Sequence, residues 1–182
     1  IDTANGGGNG ALLPVGISFY TFQALSYSTE VYLRRLEPSR NPAELALYLA
    51  FFPKLIAGPL IGPTPFFAAI RAERLAVSRM TAIRAAGLTL SGLFKKIAIA
   101  DAAAGLVDAA FRGAGMITPY GLPAPLFWAG IYLYAFQIYA DFAGYTDLAR
   151  ASALVLGIDL PENFRQPYFA RTPADFWNRW HM

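Results

Sequence analysis

The sequence predicts an all-α fold, a polytopic membrane protein with spanning helices plus a proline-broken re-entrant segment. Three observations lead there. Of the 182 residues, 55% are hydrophobic and only 15% charged, and the mean hydropathy of +0.37 is more apolar than a soluble domain usually is. Apolar stretches long enough to serve as bilayer segments recur along the chain. Between them lie loops rich in arginine, the mark that the positive-inside tendency leaves on the cytoplasmic side. The net charge of +3 does not point to nucleic acid, because the basic residues are scattered and do not line one stripe. Cysteine is absent and histidine occurs once, which excludes disulfides, thiolate chemistry and histidine-rich metal sites; no metal is expected.

Residues 1–10 (IDTANGGGNG) read as a polar, glycine-rich loop unlike a signal peptide. No charge occurs over 11–29, and 12–33 can supply a first span, broken only early by Pro14 and Gly16. A linker with Arg34, Arg35 and Arg40 follows, and Asn41-Pro42 has the form of a helix start. Residues 45–70 carry a single charge, Lys54, but Pro53, Pro59, Pro63 and Pro65 forbid a continuous helix. The loop at 71–84 is again basic, so the chain enters and leaves on the same face. A re-entrant hairpin fits, and its irregular backbone requires cover from protein or a water-filled cavity.

Residues 85–107 are apolar apart from Lys95, Lys96 and Asp101, which either mark an interface or point inward. A Gly- and Pro-rich outer loop over 112–125 precedes the clearest span, 122–140, which ends at Asp141. Everything after it carries Arg150, Arg165, Arg171 and Arg179, placing His181 at or just within the cytoplasmic face. The whole reads as a single partial membrane domain, 1–182, truncated at both ends.

Three stretches carry candidate chemistry. In 137–147 (QIYADFAGYTD), Asp141, Tyr145 and Asp147 meet the end of a span; the plain reading pairs Asp147 with Arg150 and bonds Asp141 to Tyr145 or to a neighbouring helix. In 161–169 (PENFRQPYF), aromatics and prolines alternate with polar groups in no helical period, so an ordered loop is expected, either an aromatic belt or a wall on which Asn163 and Arg165 donate hydrogen bonds. In 172–182 (TPADFWNRWHM), Thr172 and Asp175 form a capping box with Pro173 at the first helical position. That helix would put Trp177 and His181 on one face, Phe176 and Trp180 beside them, and Asp175 against Arg179 as a surface pair. No Gly-rich phosphate loop, GxSxG elbow or HExxH is present.

The run over 139–182 (YADFAGYTDLARASALVLGIDLPENFRQPYFARTPADFWNRWHM) closely resembles the membrane-bound O-acyltransferase family, in particular its bacterial alginate O-acetyltransferase branch and the relative that transfers D-alanine to teichoic acids. LPVGISFYTFQALSY at 13–27, FFPKLIAGPLIGP at 51–63 and GLFKKIAIAD at 92–101 resemble further blocks of that branch in the same order. The resemblance implies a helical membrane enzyme with a funnel. In it an acyl group, acetyl in this branch, passes from a thioester donor to a hydroxyl of a cell-envelope polysaccharide or similar acceptor.

It also implies His181 as catalytic, as donor-binding or proton-relaying group. Trp177, Trp180, Asn163, Arg165 and Arg179 become substrate-binding, with Asp141, Tyr145 and Asp147 in support. A second family histidine, generally regarded as the base, belongs to a later segment beyond Met182, so this stretch alone is expected to be inactive. The implied cosubstrate is acyl-coenzyme A or a protein-bound acyl group, with no bound cofactor. The implied partners are the lipid bilayer, an acyl donor or carrier on the cytoplasmic side and an extracytoplasmic acceptor or relay protein, without nucleic acid, at the inner membrane in multi-pass form. The rival readings are a membrane transporter or channel-like binding protein, which a symmetry-related second half would support, and a soluble helical domain.

Overall fold

Local capping sets four helix boundaries in the computed structural model, which describes residues 17–55, 58–72, 77–115 and 124–182. The expected loop at 1–10, Pro14 and Gly16, and parts of the loops at 71–84 and 112–125 lie outside the described residues. Helix α1 runs Ile17–Tyr32. Asn41 caps α2 (Pro42–Ala50), accepting from Ala43 N with Pro42 in the first turn, where its missing N–H costs nothing. A 3-10 turn (Phe52–Lys54) and α3 (Pro63–Arg71) follow. The stretch 45–70 is therefore broken as the prolines require.

Ser78 caps α4 (Arg79–Leu93) by accepting from Thr81 N at 3.1 Å. That helix continues without interruption through a π-helical stretch (Phe94–Asp101) into α5 (Ala102–Gly115). A π turn closes i to i+5, and here Lys96 and Asp101, five residues apart, meet at 2.9 Å.

Helix α6 (Ala124–Val155) has 32 residues, which corrects the expectation of a span over 122–140 ending at Asp141. The helix runs on to Val155 and is closed by Gly157, whose φ of +82° favours glycine. Gly157 N donates to Leu154 O at 3.1 Å and Ile158 N to Ala153 O at 2.9 Å, the bond pair of a Schellman cap, and Ile158 and Ala153 are buried in one cluster. Asp141, Tyr145 and Asp147 thus sit in mid-helix. A 3-10 turn (Pro167–Phe169) and a short α7 (Pro173–Trp177) complete the described elements.

Helices α1, α2 and α3 pack on one another, while α4, the π stretch and α5 pack along α6. Tyr48, Phe51, Phe66 and Phe67 join Ala153, Ile158 and Leu160 in the core that ties the proline-broken segment to the end of α6. Lys54 is wholly buried there, its Nζ 3.6 Å from the Tyr48 ring centroid and 4.5 Å from that of Phe66, a cation–π seat. Where α4 crosses α6 the backbones touch: a Cβ on Gly92 would lie 2.8 Å from Gly144 O, and one on Gly144 would lie 2.9 Å from Gly92 O.

The outward faces are apolar, with Phe22, Leu90, Ile97, Leu106 and Tyr132 each more than half exposed, as on surfaces built to meet lipid or further protein. Among the described residues no helix is long and apolar enough to cross a membrane. Helix α1, with 16 residues, reaches about 24 Å against a hydrocarbon core of about 30 Å. Helix α6 has the length, but its tyrosines, Gln137 and Asp141 dilute the apolar run. The all-helical expectation is met; complete spanning helices are not seen among the described residues.

Candidate functional site

The terminal segment is held by a short backbone ladder. Thr172 caps α7 by accepting from Asp175 N at 3.1 Å, as the capping box predicts. The helix ends at Trp177, and the chain then extends antiparallel to the 161–169 loop. Arg165 N donates to Arg179 O at 2.9 Å, Met182 N donates to Asn163 O at 3.0 Å, and Phe164 faces Trp180 as an isolated bridge. This corrects the expected helical face: Trp177 is exposed on α7, whereas His181 lies beyond the helix with a left-handed φ of +46°. The expected pairing of Phe176 with Trp180 is present, stacked at 5.5 Å and 19°.

An aromatic cradle surrounds the ladder. Phe164, 7% exposed, meets Trp180 at 5.0 Å and Phe142 of α6 at 5.0 Å. The His181 imidazole lies against the same Phe142 at 5.0 Å. It is half-buried, and burial holds its pKa below the ordinary 6.5, because desolvation disfavours the imidazolium. That burial favours the neutral form of the ring. Tyr168 braces the loop from the other side, donating from its hydroxyl to Ala135 O at 2.6 Å.

Asn163 is 1% exposed, and neither end of its carboxamide has a partner among the described residues. It lies at the wall of a small polar cavity of about 30 Å³ shared with Lys95, Asp147, Arg150 and Glu162, a volume on the order of one water. Asp147 is paired with Lys95 at 2.6 Å and accepts from Ser91 at 2.8 Å, which corrects the expected pairing with Arg150; Arg150 instead donates to Leu160 O at 3.4 Å. Asp141 pairs with Lys96 of the π stretch at 2.7 Å, so of its two expected partners the neighbouring helix is the one used. Tyr145 is half-buried on α6. Both lysines pair with carboxylates of α6, the Lys95 pair largely covered and the Lys96 pair about half exposed.

Arg179 donates to Asp175 at 2.7 Å, as expected. The Arg179 bond, with a further one from Arg171 N, holds the Asp175 carboxyl below its ordinary range. Arg165 joins the ladder through its backbone and leaves its side chain exposed. Among the candidates, then, His181, Trp180 and Asn163 come together, with Asp147 behind Asn163; Trp177 and the Arg165 guanidinium face outward. Sequence reasoning missed Tyr139 and Phe142 as cradle residues, although their i,i+3 spacing was there to find; Phe164 and Tyr168 lie in the 161–169 stretch it read as an aromatic belt or wall.

A half-buried imidazole lies against Phe142 at the end of the ladder that ties Met182 to Asn163, within an all-helical, outwardly apolar protein. Residues 15–182 match the profile of MBOAT, the membrane-bound O-acyltransferase family, and the chain belongs to that family. Over 173 residues it is 36% identical to the probable alginate O-acetylase of Pseudomonas aeruginosa, covering 94% of this chain and 31% of that protein. It is 32% identical over 197 residues to the peptidoglycan O-acetyltransferase of Helicobacter pylori, covering 94% and 36%. Over 176 residues it is 28% identical to the teichoic acid D-alanyltransferase of Bacillus subtilis, covering 92% and 42%. The chain thus spans about a third of the length of the first of these relatives.

Proposed function

We propose that the full-length protein is a multi-pass inner-membrane O-acyltransferase that transfers an acetyl group from a thioester donor to a hydroxyl of a cell-envelope polysaccharide. The observation that carries this reading is the family match across 15–182, whose relatives are named for acyl transfer to alginate, peptidoglycan and teichoic acid. The donor, acyl-coenzyme A or a carrier-bound acyl group, approaches from the cytoplasmic side, and the acceptor or a relay protein waits on the other. In the transfer a C–O bond forms as the acceptor oxygen attacks the thioester carbonyl and the C–S bond breaks. The proton leaves the hydroxyl for a base and ends on the departing thiolate.

A neutral His181 can hold or relay that proton, an effect typically of about 10² to 10⁴ in rate. Its companion base belongs to a segment beyond Met182. Trp180 walls the passage, Trp177 and Arg165 offer contacts to the donor's polar tail, and Arg179, oriented by Asp175, lies behind them. Asn163 fixes the loop that carries the ladder, with Asp141, Tyr145 and Asp147 supporting it from α6. His181→Ala in the full-length protein is expected to abolish acetylation of the envelope polysaccharide while the protein stays in the carbonate-resistant membrane fraction. Parental acetylation in that variant would remove His181 from the site.

A further inference from the structure

Lys96 serves two carboxylates at once. Its Nζ lies 2.9 Å from Asp101, at the end of the π stretch, and 2.7 Å from Asp141 of α6. Neither carboxylate pairs with another cation among the described residues, so the triad carries one surplus negative charge. All three side chains are about half exposed, although Asp141 sits near the middle of the 32-residue α6. The surface around them is apolar. Tyr134, Ile138 and Asp141 recur at i, i+4 and i+7 and share one exposed stripe of that helix. Tyr134 meets Phe111 of α5 edge-on at 5.7 Å, so the stripe borders α5. Ile97, beside Lys96 in the π stretch, is 61% exposed.

We propose that this face of α5 and α6 receives a helix from the part of the full-length chain outside residues 1–182, and that the helix brings a lysine or arginine to the triad. Ionisable groups at membrane depth face protein or water, because exposure to hydrocarbon is costly. Lipid tails match Tyr134, Ile138 and Ile97 but leave the surplus charge unanswered. A second copy meeting this one at the triad about a two-fold axis would set like charge against like, since such contacts are self-complementary. A cation removes the surplus. It also answers carboxylate oxygen that Lys96 does not reach, for Asp141 accepts the Lys96 hydrogen bond at one oxygen only. There is chain enough to supply it: residues 1–182 cover 31% of the Pseudomonas aeruginosa relative and 36% of the Helicobacter pylori one. Apolar side chains on either side of the triad would seat the rest of the incoming helix, as a helix lying in a groove requires.

This contact goes beyond acyl transfer and rests only on the multi-pass part of that reading, which carbonate extraction checks separately, so either can fail alone. In the full-length, membrane-embedded protein, p-benzoyl-phenylalanine replaces Ile138, three residues before Asp141, and the adduct formed on irradiation is mapped by peptide mass spectrometry. The same probe at Ile97 gives a second position. Both are expected to mark a peptide of the same polypeptide outside residues 1–182, with a lysine or arginine within about four residues, one helical turn, of the marked site. Glutamine in place of that cation and Asp101→Asn should then be non-additive by at least about threefold in the unfolding constant measured in detergent micelles. Adducts confined to lipid, to a second copy or to residues 1–182 would overturn the proposal. So would a marked peptide with no such cation, no adduct at either position, or additive effects. The crosslink map needs neither charge variant and stands even where Asp101→Asn disturbs folding.

Discussion

Two glycines on one helix give a matched test of how α4 meets α6. Gly87 and Gly92 both lie within α4, so replacing either with alanine brings a similar gain in helix propensity, about 1 kcal/mol. Their surroundings differ. A Cβ at Gly87 meets nothing within 4 Å, whereas at Gly92 it lies 2.8 Å from Gly144 O and 2.8 Å from Leu148 Cγ. The leucine can turn aside; the carbonyl belongs to the α6 backbone and cannot. Restoring ordinary contact therefore separates the helices by several tenths of an ångström, an overpacking cost of about 1–3 kcal/mol. The separation falls next to the Lys95–Asp147 and Lys96–Asp141 pairs, now at 2.6 and 2.7 Å, and stretches both. Equilibrium unfolding of the full-length protein in mixed detergent micelles should find Gly87→Ala more stable than the parent by up to about 1 kcal/mol. It should find Gly92→Ala below Gly87→Ala by the overpacking cost. Since propensity cancels in that comparison, equal stability of the two variants would refute the backbone contact.

Other consequences are as direct. Because burial lowers the His181 pKa from 6.5, the imidazolium forms only below that value. An NMR titration of the single imidazole within residues 1–182 of the full-length protein, with His181→Gln to assign the signal, should therefore give a midpoint below 6.5, and a midpoint above 7 would contradict the buried imidazole. Lys95→Met leaves Asp147, 8% exposed, with Ser91 alone; after allowance for the partial exposure of Lys95, the loss should be about 2–3 kcal/mol. The double variant Lys95→Met/Asp147→Leu should regain most of it in the same unfolding assay. The Asp175 carboxyl is held low by Arg179 and Arg171 N, so its contribution is complete above the ordinary value of 3.8 and fades as pH falls through the lowered one. Proteolysis near α7 should accelerate in that acid range, and Asp175→Asn should show the faster rate already at neutral pH.

Much of the local structure was legible because it depends on neighbours in sequence. Asn41-Pro42 and the Thr172 to Asp175 box announce their helix starts, and four prolines announce the broken segment, through donors and dihedrals that each residue carries with it. The end of α6 was equally local, since Gly157 follows a run of alanine and leucine, but the charge at Asp141 drew attention away from it. A carboxylate interrupts an apolar run, but its helix propensity costs under about 1 kcal/mol and does not stop a helix. Lys96 neutralises it from another helix, forty-five residues away in sequence. The candidate site divides in the same way: Phe176 against Trp180 and Asp175 against Arg179 follow from helical spacing, whereas the cradle of Phe142, Phe164 and His181 joins three separate segments.

By itself, the sequence determined the helical class, the positions of the caps and breaks, and the family, because propensity, capping chemistry and ordered motif blocks reside in contiguous residues. Only the tertiary structure decided which carboxylate met which lysine, that the terminal helix gives way to a ladder before His181, and that the Asn163 carboxamide lies buried. Those outcomes depend on how closely helices approach, and that distance is set where Gly92 meets Gly144 and where α6 meets the proline-broken core.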